Sequence, residues 1–145
     1  MKSIELEQAL LGCLISDSEY IDSVKQYIPD ESFFYSSFNQ KVWNAIDNLN
    51  TKGSNIDIIT VCEEVGNTSD GYSTNYEITG FLDSVVSPSS AVGYAKRLHS
   101  YYLRRILHTQ MHGIAKGLND TSLETSNLLE EAHTTIGNII KLQPN

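Results

Sequence analysis

The chain has 145 residues, 40% hydrophobic and 19% charged, with a formal net charge of −8. That length and balance describe a domain with a real core and exclude a disordered chain, and no run is apolar and long enough to span a bilayer. The acidic total also argues for protein partners before nucleic acid, because a surface that grips a duplex is usually basic. Met1-Lys2-Ser3 leads straight into an amphipathic pattern rather than a signal peptide, so a cytoplasmic location is expected. Cys13 and Cys62 fall inside apolar helical patterns, without CxxC or zinc-finger spacing, and read as reduced and buried.

From the N-terminus, Ile4 to Ile15 repeats apolar residues at Leu6, Leu10, Cys13 and Leu14, with Glu5 and Glu7 in the first turn, where the helix dipole favours them. Gly12 inside this helix costs about 1 kcal/mol against Ala and so predicts close approach of another helix. A short helix from about Glu19 to Ile28 presents Ile21, Val24 and Ile28, and Pro29 ends it. Phe34, Phe38, Val42, Ile46 and Leu49 then form one stripe of a helix, widened by the only tryptophan, Trp43. Gly53 stops that helix, and Asp57 is expected to cap the next, which runs to about Val65.

Gly66 to Asn75 reads as a polar loop, and Tyr76 to Val86 as a helix with Ile78, Phe81, Leu82 and Val85 inward. Ser87-Pro88-Ser89-Ser90 opens the longest helix, from about Ala91 to Leu118. In its second half, Leu103, Leu107, Met111, Ile114 and Leu118 make a seam of coiled-coil type. Thr121-Ser122-Leu123-Glu124 has the pattern of a capping box and starts a helix to about Leu142, with Leu129, Ala132, Ile136 and Ile139 facing the first seam. The predicted fold is all-α. A globular helical bundle over 1–100 is followed by a protruding antiparallel hairpin over 101–145. Tyr101, Tyr102, Ile106, Leu128 and Leu142 fall outside the inner seam, and such a strip usually marks a protein interface.

The residues also resemble a known family. Glu7-Gln8-Ala9-Leu10-Leu11-Gly12, Phe34-Tyr35, Val42-Trp43-Asn44-Ala45-Ile46, Gly53, Ile56-Asp57, Thr60-Val61, Tyr94-Ala95 and Leu103-Arg104-Arg105 occur in the order and spacing of the N-terminal domain of DnaB-type replicative helicases. The loop from Gly66 to Asn75 departs from the family, which often carries Gly-Gly before the next helix. The resemblance implies a non-catalytic domain whose hairpins pair into dimers, three of which form a collar above the motor ring. It implies primase as a partner and, in some systems, a helicase loader. On that basis the interface residues for the dimer or primase are Tyr101, Tyr102, Arg105, Ile106, Leu128 and Leu142.

No catalytic, cofactor or metal site is expected. The chain contains no G-x-x-x-x-G-K-[ST], so the family's ATP-driven motor is not in these residues and the parent would be the enzyme. His108 and His112 stand one helical turn apart, but the glutamate of H-E-x-x-H is missing and they read as polar or interface residues. Glu63-Glu64 and Glu130-Glu131 are sequence neighbours and point apart on a helix, as solvated faces. Residues 1–89 carry four Lys and fourteen acids; residues 90–145 carry six basic residues and four acids. Lys96, Arg97, Arg104, Arg105 and Lys116 read better as partners for acidic protein surface than as a sparse phosphate track. The alternatives to a helicase domain are a free-standing regulator or loader mimic and a DNA-binding helical module.

Overall fold

The computed structural model describes residues 3–66 and 73–144. Among these, seven α-helices and no strands occur: α1 (Ile4–Ser16), α2 (Ile21–Lys25), α3 (Ser37–Lys52), α4 (Ile58–Val65), α5 (Ser73–Asp83), α6 (Ala91–Gly117) and α7 (Thr125–Ile140). The chain divides into two compact units, Ser3–His99 and 100–145, and α6 contributes to both.

In the first unit, α1 is the central element and contacts α3, α4 and α5. Ser3 caps it by accepting the Leu6 amide at 3.1 Å. Leu10, Leu11, Cys13 and Leu14 are fully buried, so three sides of this helix are covered. Gly12 shows why. A Cβ there would lie 2.4 Å from the Phe81 carbonyl oxygen and 2.8 Å from Val85 Cγ2, so α1 and α5 touch backbone to backbone at this residue.

Glu7 is the departure from expectation in this helix. It stands in the first turn as expected, but its side chain is also fully buried, accepting from the Tyr35 amide at 2.7 Å, the Ser36 amide at 3.3 Å and Asn39 Nδ2 at 3.0 Å. A carboxylate thus sits at the N-terminus of α3, where free amides and the dipole favour negative charge. Ser36 completes the cap by accepting the Asn39 amide at 3.3 Å.

This anchoring also shortens the predicted stripe. Phe34 is extended (φ −91°, ψ 135°) and precedes α3 rather than belonging to it, because its neighbours' amides are committed to Glu7. It still joins the core, its ring 5.5 Å from buried Trp43. Val42, Ile46 and Leu49 are buried as the spacing predicts, while Phe38 is half-buried and meets Phe81 edge-on at 6.1 Å.

Gly53 ends α3 with φ +70°. Its amide bonds to Asn50 O, and the Ser54 amide reaches Leu49 O at 2.9 Å, a Schellman closure. Asp57 caps α4 by accepting the Thr60 amide at 2.9 Å, and Thr60 Oγ1 accepts the Asp57 amide at 2.9 Å. Lys52 of α3 pairs with Glu64 of α4 at 3.3 Å, and Lys25 of α2 with Asp47 of α3 at 2.7 Å.

Several boundaries move, and the second helix is shorter at both ends, stopping at Lys25 rather than at Ile28 before Pro29. The second helix starts later than expected, at Ile21, after a single 3₁₀ turn that Asp17 nucleates by accepting the Glu19 amide. α5 begins earlier, at Ser73, and stops at Asp83, where the Ser84 hydroxyl takes the Phe81 carbonyl at 2.7 Å. The polar loop expected over Gly66–Asn75, between α4 and α5, lies outside the described residues over 67–72, and its last three residues belong to α5.

Two outcomes check this packing. Glu7→Gln keeps the shape but offers one acceptor oxygen where the carboxylate has two, leaving a buried donor unmet. It should cost about 2–3 kcal/mol in urea unfolding. Gly12→Ala should lower stability by about 1–3 kcal/mol through overpacking against the α5 backbone. Gly80→Ala, where a Cβ meets nothing within 4 Å, should instead raise stability by up to about 1 kcal/mol. A stabilised Gly12→Ala protein would contradict the close approach.

Candidate functional site on the helical hairpin

The second unit is an antiparallel hairpin made by the end of α6 and by α7. Its turn differs from the predicted capping box. Asp120 accepts from both the amide and the hydroxyl of Ser122, which holds its carboxyl below the usual range, and Glu124 at the start of α7 makes no side-chain cap. The local Asx-type turn at Asp120 replaces the capping box.

The predicted seam holds in part: Leu103, Met111, Ile114, Ala132 and Ile139 are half-buried as expected, and the rest of it differs. Leu128 and Ile106, expected on the outer face, are half-buried. Leu107, Leu118, Leu129 and Ile136, expected in the seam, are exposed, Leu118 to 63% and Leu129 to 67%. Leu128 faces Gly117, where a Cβ would be 3.4 Å from Leu128 Cδ2 and 3.7 Å from Leu123 Cδ1. Leu128 therefore packs beside Gly117, at a distance that a Cβ there would meet in ordinary contact. Leu128, Ala132, Thr135 and Ile139 face inward at four-three-four spacing. Small residues therefore fill half of the α7 seam, and the bulkier Leu129, Ile136 and Ile140 face outward.

Of the six residues picked out as interface candidates, Tyr101, Tyr102, Arg105, Ile106 and Leu128 are half-buried, and Leu142 is 40% exposed. The Arg105 guanidinium lies 5.4 Å above the Tyr102 ring, an i, i+3 contact on α6. The most exposed apolar residues of the unit, Leu118, Leu129 and Ile140, were not in that set. Their signal was the pair of small residues Ala132 and Thr135, which marks close helix approach more reliably than the longest apolar repeat does.

Beside this strip, α6 carries Arg104, His108, His112 and Lys116 at steps of four, bordering Leu107, Met111 and Ala115. The two imidazoles lie parallel, 6.3 Å apart with planes 2° from each other. No acidic residue occurs between Ala91 and Asn119, whereas α7 exposes Glu130 and Glu131. The hairpin thus has a basic-apolar face on α6 and an acidic-apolar face on α7.

The first unit offers no convergent chemistry. A groove of about 650 Å³ between α4 and α5 is lined by Ile58, Ile59, Cys62, Glu63, Asn75 and Thr79. Burial pushes the Cys62 and Cys13 thiols up, which keeps them protonated and weak as nucleophiles. His99 is buried, with Nδ1 2.7 Å from the Tyr27 carbonyl and its ring stacked on Phe33 at 5.4 Å. Among the described residues no three His, Cys, Asp or Glu side chains converge on a metal position, and no helix is long and apolar enough to cross a membrane.

Comparison with known proteins places this architecture. Residues 1–100 match the family model of the DnaB-like helicase N terminal domain. The replicative DNA helicase DnaC of Bacillus subtilis is 31% identical over 140 residues, covering 93% of this chain and 30% of that protein. The DnaB helicase of Rhodothermus marinus is 25% identical over 138 residues, 93% of this chain and 14% of that protein. The chain therefore spans less than a third of these relatives. Among solved structures, the N-terminal domain of DnaB helicase from Mycobacterium tuberculosis has the same fold, with a TM-score of 0.80 at 19% identity over 94% of this chain and 97% of that one. A DnaB-like replicative helicase described with its interactions with primase superposes with a TM-score of 0.73 at 18% identity, over 95% of this chain and 31% of that one. The family model covers 100 of the 145 residues, and the chain belongs to the DnaB-like helicase N-terminal domains.

Proposed function

We propose that this domain is a non-catalytic assembly module of a cytoplasmic replicative DNA helicase, which self-associates through its hairpin and offers the assembled surface to primase. The observation that carries this reading is the outward strip of the hairpin. Leu107, Leu118, Leu129, Ile136, Ile140 and Leu142 are all at least 40% exposed within one 36-residue stretch. Surfaces of this kind are covered in the working assembly.

A second copy is the occupant that fits. A two-fold axis brings the same strip onto itself, and an antiparallel approach sets the Arg104–Lys116 side of α6 against Glu130 and Glu131 of the partner's α7. Each hairpin unit carries Arg104, Arg105, Lys116 and Lys141 against Asp120, Glu124, Glu130 and Glu131, so the pairing is balanced. Primase docking follows from the family and from the structural neighbour described with primase. It needs no active site in this domain, only a rigid composite surface. A helicase loader would meet the same assembled domain.

The module should therefore dimerise with a Kd of about 1–10 μM, the range of a modest interface. Leu129→Glu and Ile140→Glu should give folded monomers in light scattering after size exclusion, because they place a charge on the outer strip. Leu128→Glu should instead lower the melting temperature, because Leu128 packs on Gly117 inside the hairpin. A wild type that stays monomeric at 100 μM, or outer-strip variants that stay dimeric, would overturn the hairpin as the association surface.

A further inference from the structure

We propose that His108 and His112 form a two-nitrogen site for a divalent cation of the Zn²⁺, Ni²⁺ or Cu²⁺ class on the open face of α6. This goes beyond the assembly role; the proposed pairing would set the same side of α6 against a second copy, so the site is defined here for the single chain. Residues four apart on a regular helix lie on one face about 6 Å apart along the axis. Both imidazoles are exposed, and their rings already stand parallel at 6.3 Å. Neither has a hydrogen-bond or ion-pair partner among the described residues, so rotation about the outer side-chain bonds is free to bring one nitrogen of each to a common ion. Nitrogen–metal distances of about 2.0–2.1 Å are then reachable, with water in the remaining positions.

The surroundings select the class of ion. No carboxylate stands on α6, and Arg104 and Lys116 flank the pair by one turn on either side. Their charge opposes hard cations such as Mg²⁺ or Ca²⁺, which require oxygen ligands. Ions that bond imidazole nitrogen gain enough from two donors to offset that repulsion, in the order Cu²⁺ above Ni²⁺ and Zn²⁺. The other histidines make no such pair. His99 is buried and bound to the Tyr27 carbonyl, and His133 on α7 stands among Leu129, Glu130 and Thr134 without a second imidazole.

The test is a titration of chelator-treated protein with Cu²⁺ and with Zn²⁺, read by competition with a chromophoric chelator. One ion per chain is expected. His108→Asn and His112→Asn should each weaken binding about tenfold or more, since each removes the second, intramolecular contact. His133→Asn should leave it unchanged, and Mg²⁺ should not compete. Both sites are on the surface, so helicity by circular dichroism should be the same in all variants. Running the series in the Leu129→Glu background separates the result from self-association. Wild-type affinity in either α6 variant, or binding that follows His133, would overturn the assignment.

Discussion

Glu7 is the interaction on which the globular unit depends. It leaves α1 fully buried and takes the amides of Tyr35 and Ser36 together with the side chain of Asn39. A buried carboxylate is tolerable only when its oxygens are met by donors, and here three donors from the start of α3 meet it. The bond fixes two helices whose sequences lie about thirty residues apart. It also sets where α3 begins, and hence which way Trp43 and Phe34 point. The close contact of Gly12 with the α5 backbone then locks the opposite side of α1, so one thirteen-residue helix positions two others through a charge on one turn and a missing side chain on the next.

The hairpin also packs through small residues, with a different consequence. At Gly12 the absence of a side chain lets α1 be fully enclosed. At Gly117 a side chain would be in ordinary contact with Leu128, which faces α6 from α7. The inner seam contains Ala132 and Thr135, while bulkier residues are left facing outward. A hairpin packed through its small residues and exposing its large ones is poorly satisfied alone. This is the physical basis for reading it as half of an interface, and it joins the fold to the assembly role proposed for this domain.

Much of this was legible in the sequence, and what was not has specific causes. The apolar periods of α1, α3 and the α6–α7 region, the stop at Gly53, the Asp57 cap and the approach at Gly12 are local signals, each carried by residues within a turn or two. Glu7 was not legible, because a glutamate in the first turn of a helix looks the same whether it faces water or a partner thirty residues away. Phe34 was placed inside α3 because its spacing fits, whereas hydrogen bonds to Glu7 exclude it. The capping pattern at Thr121–Glu124 was real as a string but lost to Asp120, whose side chain reaches Ser122 first. The face of α7 was misread because apolar size was weighed above close approach, so the candidate interface shifted from Ile106 and Leu128 to Leu129, Ile136 and Ile140.

In the proposed function, association is carried by the outward strip of the hairpin and not by the globular unit. Methyl resonances followed through a dilution series test it residue by residue. Leu107, Leu118, Leu129, Ile136 and Ile140 should shift with concentration along one binding curve, while exposed Ile59 and Val86 of the first unit stay fixed. Shifts confined to Ile58, Ile59 and their neighbours, or a hairpin that does not respond to dilution, would contradict it.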